Sequence, residues 1–160
     1  MIYRVKQFFQ GLTAKLYEED LHFINQYLTS QEQNLFFQLR KSEQRHSINV
    51  AYGCKIDAPN NLALIKAALL HDVGKIGSNL TLINKAFVVL SDKMNLKPSV
   101  MPSFLKEAMY YKINHAKLGY ELLLKLGLQE KVLVLVKNHH KENIANVKEM
   151  EILQHYDNLY

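Results

Sequence analysis

The sequence predicts an all-α fold, a helical bundle with additional packing helices at its N-terminus. Apolar residues recur every three or four positions along most of the chain, which is the period of an amphipathic helix. Only six glycines and three prolines interrupt the 160 residues, and 48% of the residues are hydrophobic. This length and composition suit one globular domain, which we divide into N-terminal helices over 1–41 and a core over 42–160.

The first part of the chain is predicted to form helices that cover the core. Apolar residues follow a helical spacing over 2–16 and again over 21–28. Thr29 and Ser30 are typical N-cap residues and predict a further helix over 31–40.

The core is predicted to begin with two helices. Ser42 is a candidate cap for a helix that continues to Cys54. The stretch Leu62–Val73 is apolar almost all round, which predicts the buried central helix of the bundle. Gly74 and Gly77 then predict its end.

The C-terminal half is predicted to be helical after an irregular loop over 91–103. Gly127 is a good C-cap for the helix that precedes it. Valine and leucine alternate within 131–136, so a strand is an open alternative there. The predicted helices cover 105–114, 115–126, 129–140 and 147–160.

The composition argues against several classes of protein. The longest apolar runs, such as 132–136, fall far short of the roughly 20 residues that a membrane-spanning helix needs. The N-terminus lacks the features of a secretory signal, and the single Cys54 cannot form an internal disulfide framework, so we expect a cytoplasmic protein. The net charge of +5 mildly favours anionic partners such as nucleotides or phosphates. Lysine and arginine are scattered along the chain, so we expect no binding to duplex DNA.

Seven histidines are the unusual feature of this composition. A charged carboxylate within a helix of strongly apolar sequence is costly unless it is paired, hydrogen-bonded or bound to a metal. Imidazole and carboxylate ligands together suit Mn, Fe, Co, Ni or Zn better than Ca. His22 and His155 match no pattern, and we interpret them as structural. The side chains in or at the ends of predicted helices, beside apolar sequence, are His46, His71, Asp72, His115, His139, His140 and Asp157.

The order of these residues resembles a known family. His46, followed by His71-Asp72-Val73-Gly74-Lys75 and then by Asp157, resembles the H…HD…D pattern of the HD superfamily of metal-dependent phosphohydrolases. The resemblance covers residues 42–160 and implies an HD-domain-like helical bundle. It also implies hydrolysis of a phosphomonoester or phosphodiester, with a nucleotide favoured, by water that a bound metal activates.

Two further features resemble binuclear members of that family, which usually add two histidines between the HD pair and the final Asp. His115 and the pair His139-His140 look like these additions. The resemblance implies one or two divalent ions of Fe, Mn, Ni, Co or Zn, with Mg as a further candidate. Asp72 would bridge two metals, one held also by His46, His71 and Asp157, the other by His115 with His139 or His140.

The roles of two side chains remain open at this point. Adjacent helical residues point about 100° apart, so we favour one ligand and one phosphate contact in the His139-His140 pair, with His140 also a candidate for substrate binding. Lys75 lies about one helical turn beyond Asp72 and is placed to bind a phosphate oxygen or to assist the leaving group. Its alternative role is to neutralise a helix C-terminus.

The sequence also departs from one branch of the family. The cyclic-di-GMP phosphodiesterases of the HD-GYP type carry a GYP motif that this chain lacks, so that substrate is disfavoured. The redox branch, with a mixed-valent di-iron centre, would use the same ligand types. A signalling module that binds metal and nucleotide without turnover is the alternative function. Apolar residues on the N-terminal helices are compatible with a homodimer.

Overall fold

The structure, a computed structural model, describes residues 14–78, 102–141 and 147–160. Every regular element within these ranges is helical, which confirms the predicted all-α class, and none of their helices is both long enough and apolar enough to span a bilayer. The helix predicted over 2–16 and the loop predicted over 91–103 fall almost wholly outside them. The elements are α1 (Glu18–Tyr27), α2 (Ser30–Gln38), α3 (Lys41–Asp57), α4 (Leu62–Leu70), a 3-10 turn (Val73–Lys75), α5 (Ser103–Lys125), α6 (Glu130–Asn138) and α7 (Lys148–Leu159).

Helix α4 lies at the centre of the hydrophobic core, as predicted. The side chains of Leu64, Ile65 and residues 67–70 are completely buried, and the helix packs against α3 and α6. Burial of apolar surface stabilises the fold by about 25 cal/mol for each Å² removed from water. The polar residues that follow α4 are consequently held against the best-packed part of the molecule.

The end of α4 differs from the prediction. The helix ends at Leu70 instead of Val73, and after His71 and Asp72 the chain forms the 3-10 turn. The turn needs glycine at position 74, because a Cβ atom there would overlap the carbonyl oxygen of His115 on α5. The turn therefore lies directly on the backbone of α5.

Helix α5 is continuous where two helices, 105–114 and 115–126, are predicted. Asn114 is the predicted boundary, but its side-chain amide donates to the Tyr110 carbonyl at 2.8 Å, one turn earlier, and leaves the helix intact. Neither glycine nor proline interrupts residues 103–118, so nothing breaks the helix before its end at Lys125. His115 consequently lies within a helix and does not open one.

One further expectation about helices is corrected, and one open alternative is excluded. Helix α3 begins at Lys41 with Arg40 as its N-cap, so Ser42 lies within the first turn and does not cap it. The Arg40 guanidinium instead donates to the Ser78 carbonyl at 2.7 Å, which joins the start of α3 to the segment after the 3-10 turn. The strand alternative for 131–136 is wrong, because these residues lie in α6.

The predicted cap at Thr29 is confirmed. Its amide donates to the Glu32 carboxylate at 2.7 Å, and its hydroxyl accepts from the Glu32 amide at 3.4 Å, which forms a capping box. Helix α2 therefore begins at Ser30. Helix α1 is tied to α3 through Asp20, whose buried carboxylate accepts hydrogen bonds from Arg45 and from the Tyr52 hydroxyl.

Candidate metal centre

The HD pair occupies the turn after α4, where it is buried. His71 and Asp72 are 0% and 1% exposed, because α4 carries them into the core. The Nδ1 atom of His71 donates to the Ala68 carbonyl at 2.8 Å, since a carbonyl oxygen can only accept. Its Nε2 atom therefore faces the side chains that converge on this turn.

His46 and Asp157 reach the same place from α3 and α7. The Asp157 Oδ1 atom lies 2.9 Å from His46 Nε2 and 3.4 Å from His71 Nε2. Helix α7 crosses α3 so closely that a Cβ atom on Gly53 would overlap the Tyr156 ring. The glycine lets the residue before Asp157 pack onto α3, and so brings the carboxylate beside His46.

His115 reaches the HD pair through the crossing of α5 with the 3-10 turn. At this crossing an added Cβ on Gly119 would lie 3.2 Å from the Gly74 amide nitrogen. The His115 Nε2 atom lies 3.5 Å from Asp72 Oδ1. Two glycines thus allow the backbones to meet closely enough for the imidazole to reach the carboxylate.

The two adjacent histidines both reach His115. Its Nε2 atom lies 3.3 Å from the Nε2 atom of His139 and 2.9 Å from that of His140. His139 is buried at the end of α6, whereas the His140 side chain is 53% exposed and lies 3.8 Å from the Asp157 carboxylate. Gln154 of α7 donates to the Lys141 carbonyl at 2.9 Å and holds this segment in place.

The structure thus brings together all seven side chains that the sequence singled out. Three groups among the described residues each offer three ligand atoms within 4.8 Å of one another. His22 and His155 stay apart from them, and both are exposed on the surface. The groups are His46, His71 and Asp72; His71, His139 and Asp157; and His115, His139 and His140.

The donor atoms fit a metal ion. His71 Nε2 and Asp72 Oδ1 are buried and lack a hydrogen-bond partner among the described residues, although such orphan atoms normally cost free energy. His115 and His139 each direct Nδ1 at backbone carbonyls, at 3.0 Å and 2.6 Å. Their Nε2 lone pairs therefore face each other, an arrangement that a cation between them would stabilise. Mixed imidazole and carboxylate donors suit Mn, Fe, Co, Ni and Zn.

The electrostatics leave imidazoles of two kinds in the cluster. Burial lowers the pKa of His115 to about 4 and holds the pKa of His139 well below its usual range. Burial alone would also lower the pKa of His71, but the carboxylates of Asp72 and Asp157 raise it to about 9. The pKa of Asp157 lies well below its usual range despite burial, because the His46 imidazole hydrogen-bonds to it and the His71 imidazole lies close by. The cluster therefore offers ionised carboxylates and at least two neutral imidazoles.

Lys75 lies beside this cluster. Its Nζ atom is 2.6 Å from Asp72 Oδ2 and 3.6 Å from the carboxylate of Glu43 on α3. Burial would lower the pKa of Lys75, but these two carboxylates raise it above its usual range. The sequence analysis does not identify Glu43, because an acid in the first turn of a helix is common for other reasons. Its position three residues before His46 is the only available signal.

Comparison with known proteins places the cluster in a family. The family model of the HD domain matches residues 44–160, a range that contains all seven side chains. No curated protein and no solved structure gives a significant match to the chain. HD domains bind divalent metals and are typically metal-dependent hydrolases. Since the match covers most of the chain and the helices carry the HD pair to a common centre, this protein belongs to the HD domain family.

Proposed function

We propose that the cluster binds one or two divalent transition-metal ions and that the protein hydrolyses a phosphomonoester or phosphodiester, with a nucleotide as the favoured substrate. One observation carries this proposal. His71 Nε2 and Asp72 Oδ1 are buried without a hydrogen-bond partner among the described residues, at the point where three groups of ligand atoms meet. Buried orphan atoms of this kind are rare unless a ligand uses them.

The proposed ligand set follows the proximity of the donors. His46, His71 and Asp157 surround one position with Asp72, and His115, His139 and His140 surround the other. Asp72 is the natural bridge, because its Oδ2 lies 3.6 Å from His71 Nε2 and its Oδ1 lies 3.5 Å from His115 Nε2. His139 belongs to two of the three groups, so it is the better ligand of the histidine pair.

Each side chain has a distinct task in the proposed reaction. A bound divalent ion supplies Lewis acidity, which lowers the pKa of a coordinated water towards about 7 and draws charge from the phosphate. Asp72 and Asp157 contribute two negative charges, which neutralise only half the charge of two such ions and leave the site attractive to an anion. Lys75 offers its ammonium group to a non-bridging phosphate oxygen. His140, half exposed at the rim, contacts the substrate.

The test is a hydrolysis screen with purified protein. p-Nitrophenyl phosphate, bis(p-nitrophenyl) phosphate and nucleotides are assayed with Mn²⁺, Fe²⁺, Ni²⁺ or Mg²⁺. Wild type is expected to hydrolyse at least one class, and Asp72→Ala to lose the activity. Glu151→Ala, which removes an exposed carboxylate on α7, serves as the control and keeps it.

Two results would overturn the proposal. An Asp72→Ala variant as active as wild type would assign the activity to a contaminant. A wild type that binds metal and nucleotide without turnover would assign the protein to the non-catalytic signalling class.

We also propose that the N-terminal helices and the metal-binding core form one domain. Asp20 on α1 pairs with Arg45 on α3, and Glu32 on α2 pairs with Lys66 on α4 at 2.8 Å. Both carboxylates are buried, so separation of the helices from the core would leave buried charges unpaired. These contacts support a single folding unit.

A further inference from the structure

A buried carboxylate outside the proposed ligand set lies against Lys75. Glu43 is 5% exposed, and its Oε2 atom lies 3.6 Å from Lys75 Nζ. It does not belong to any of the three groups of potential metal ligands among the described residues. A buried carboxylate is costly unless it is paired or hydrogen-bonded, and the Lys75 ammonium group supplies an opposite charge beside Glu43.

The geometry between Glu43 and Lys75 is fixed from both sides of the pair. Glu43 lies in the first turn of α3, whose N-cap Arg40 donates to the Ser78 carbonyl at 2.7 Å. Ser78 in turn donates its amide to the Lys75 carbonyl at 3.1 Å. The start of α3 and the segment that carries Lys75 are therefore clamped together independently of the ion pair.

The two carboxylates around Lys75 differ in their proposed relation to the metal. Asp72 Oδ2 lies 2.6 Å from Lys75 Nζ, but Asp72 is also the central ligand of the proposed metal site. A carboxylate that gives its charge to metal ions holds an ammonium group less strongly. Glu43 belongs to none of the three groups of potential metal ligands among the described residues, so it can hold the ammonium group when Asp72 binds metal.

We propose that Glu43 is a positioning residue that holds the Lys75 ammonium group at the edge of the metal site, where it meets a phosphate oxygen. This inference rests on the proposed function for the phosphate contact of Lys75. Glu43 acts through Lys75 and touches neither metal nor substrate. Without the Glu43 carboxylate, the Lys75 ammonium group would pair with Asp72 alone of these two carboxylates.

The chain offers a matched control for this inference. Glu32 is also a buried glutamate, and it forms a comparable ion pair with Lys66 at 2.8 Å on α4. Glu32→Gln removes the same charge from the same kind of pair, away from the cluster. A loss of stability alone would therefore appear in both variants.

The experiment measures inorganic phosphate binding to Mn²⁺-loaded protein by calorimetry, with bound manganese and thermal stability measured in parallel. Glu43→Gln is expected to weaken phosphate binding about tenfold, the scale of one charge-assisted hydrogen bond, with unchanged manganese content. Glu32→Gln is expected to leave phosphate affinity as in wild type. Combined with Lys75→Met, Glu43→Gln should weaken phosphate binding no further than Lys75→Met alone. Glu43→Asp, which keeps the charge, should restore part of the affinity and covers the case in which Glu43→Gln fails to fold.

Several outcomes would overturn the inference. Equal phosphate affinity in the Glu43 and Glu32 variants would remove the positioning role, as would an undiminished effect in the Lys75→Met background. A loss of manganese in Glu43→Gln would make Glu43 a metal ligand. If wild type hydrolyses phosphate esters while Glu43→Gln binds phosphate normally, the inference fails and the proposed function stands. If the variants show the predicted effects on phosphate binding but wild type has no turnover, the inference about Glu43 stands and the proposed function fails. A wild type that binds no phosphate contradicts both the inference and the proposed function.

Discussion

His46 Nε2 lies 2.9 Å from Asp157 Oδ1, although 111 positions separate the two residues in the chain. This contact joins α3, which carries His46, to α7, which carries Asp157, at the cluster. The glycine at position 53 permits it, since any side chain there would overlap the Tyr156 ring. A carboxylate near the C-terminus thereby completes a site whose other members come from the middle of the chain.

Asp157→Asn should weaken metal binding at least about tenfold, because the loss of a ligand costs no less than the loss of a residue that only orients one. Binding of Mn²⁺ to metal-free protein, measured by calorimetry, checks this. Glu151→Gln removes one negative charge from the exposed face of the same helix. It controls for the effect that any loss of negative charge has on binding of a cation. Unchanged affinity in Asp157→Asn would exclude Asp157 from the ligand set.

Gly74→Ala should destabilise the protein by about 1–3 kcal/mol, the usual cost of overpacking a tight contact. The added methyl group would overlap the His115 carbonyl and push α5 away, so metal affinity should fall as well. Gly127→Ala is the matched control, because Gly127 has a φ of +72° but open space around its Cβ position. It should lose stability through backbone strain and keep metal affinity. Urea unfolding measures the loss of stability in both variants, and metal titration measures the loss of metal affinity. Equal metal affinity in Gly74→Ala and Gly127→Ala would contradict this account.

Tyr52→Phe should change how stability depends on alkaline pH. Burial and the Asp20 carboxylate raise the pKa of Tyr52 from 10.0 to about 12. The unfolded phenol therefore ionises first, so the stability contributed by neutral Tyr52 is complete below pH 10 and is lost as the pH rises towards 12.

The variant lacks this dependence. It should be less stable than wild type at neutral pH, by about 1 kcal/mol for the lost hydrogen bond, and the difference should shrink between pH 10 and 12. Urea unfolding at a series of pH values measures it, with Tyr110→Phe, at an exposed position on α5, as control. A constant difference across this range would show that the Tyr52 hydroxyl is not held as described.

The fold and the membership of the cluster could be predicted because both depend on local signals. The helical period of apolar residues marks α4 as buried, and the residues directly after a buried helix must lie near the core. Each proposed ligand belongs to a residue type that is costly in such a place, so His71 and Asp72 are conspicuous in the sequence alone. Their order along the chain then matches a family pattern.

The remaining features depend on contacts between distant segments, which no local pattern records. Gly74 ends a helix in many sequences, but here it is required by the backbone of α5. Asn114 resembles a boundary residue until its amide is seen to bond within α5. Glu43 resembles an ordinary acid near a helix start, and only the turn after α4 makes it the partner of Lys75.

The central claim is that the cluster around Asp72 is a metal site, and metal uptake tests it most directly. Metal-free protein is titrated with Mn²⁺, Fe²⁺, Ni²⁺ or Zn²⁺ under reducing conditions, and the bound metal is quantified by elemental analysis after dialysis. The account predicts one or two ions per chain for wild type and a loss of binding in Asp72→Asn, with Glu151→Gln unaffected. Wild-type protein that takes up none of these metals, or an Asp72→Asn variant that binds them as wild type does, would contradict it.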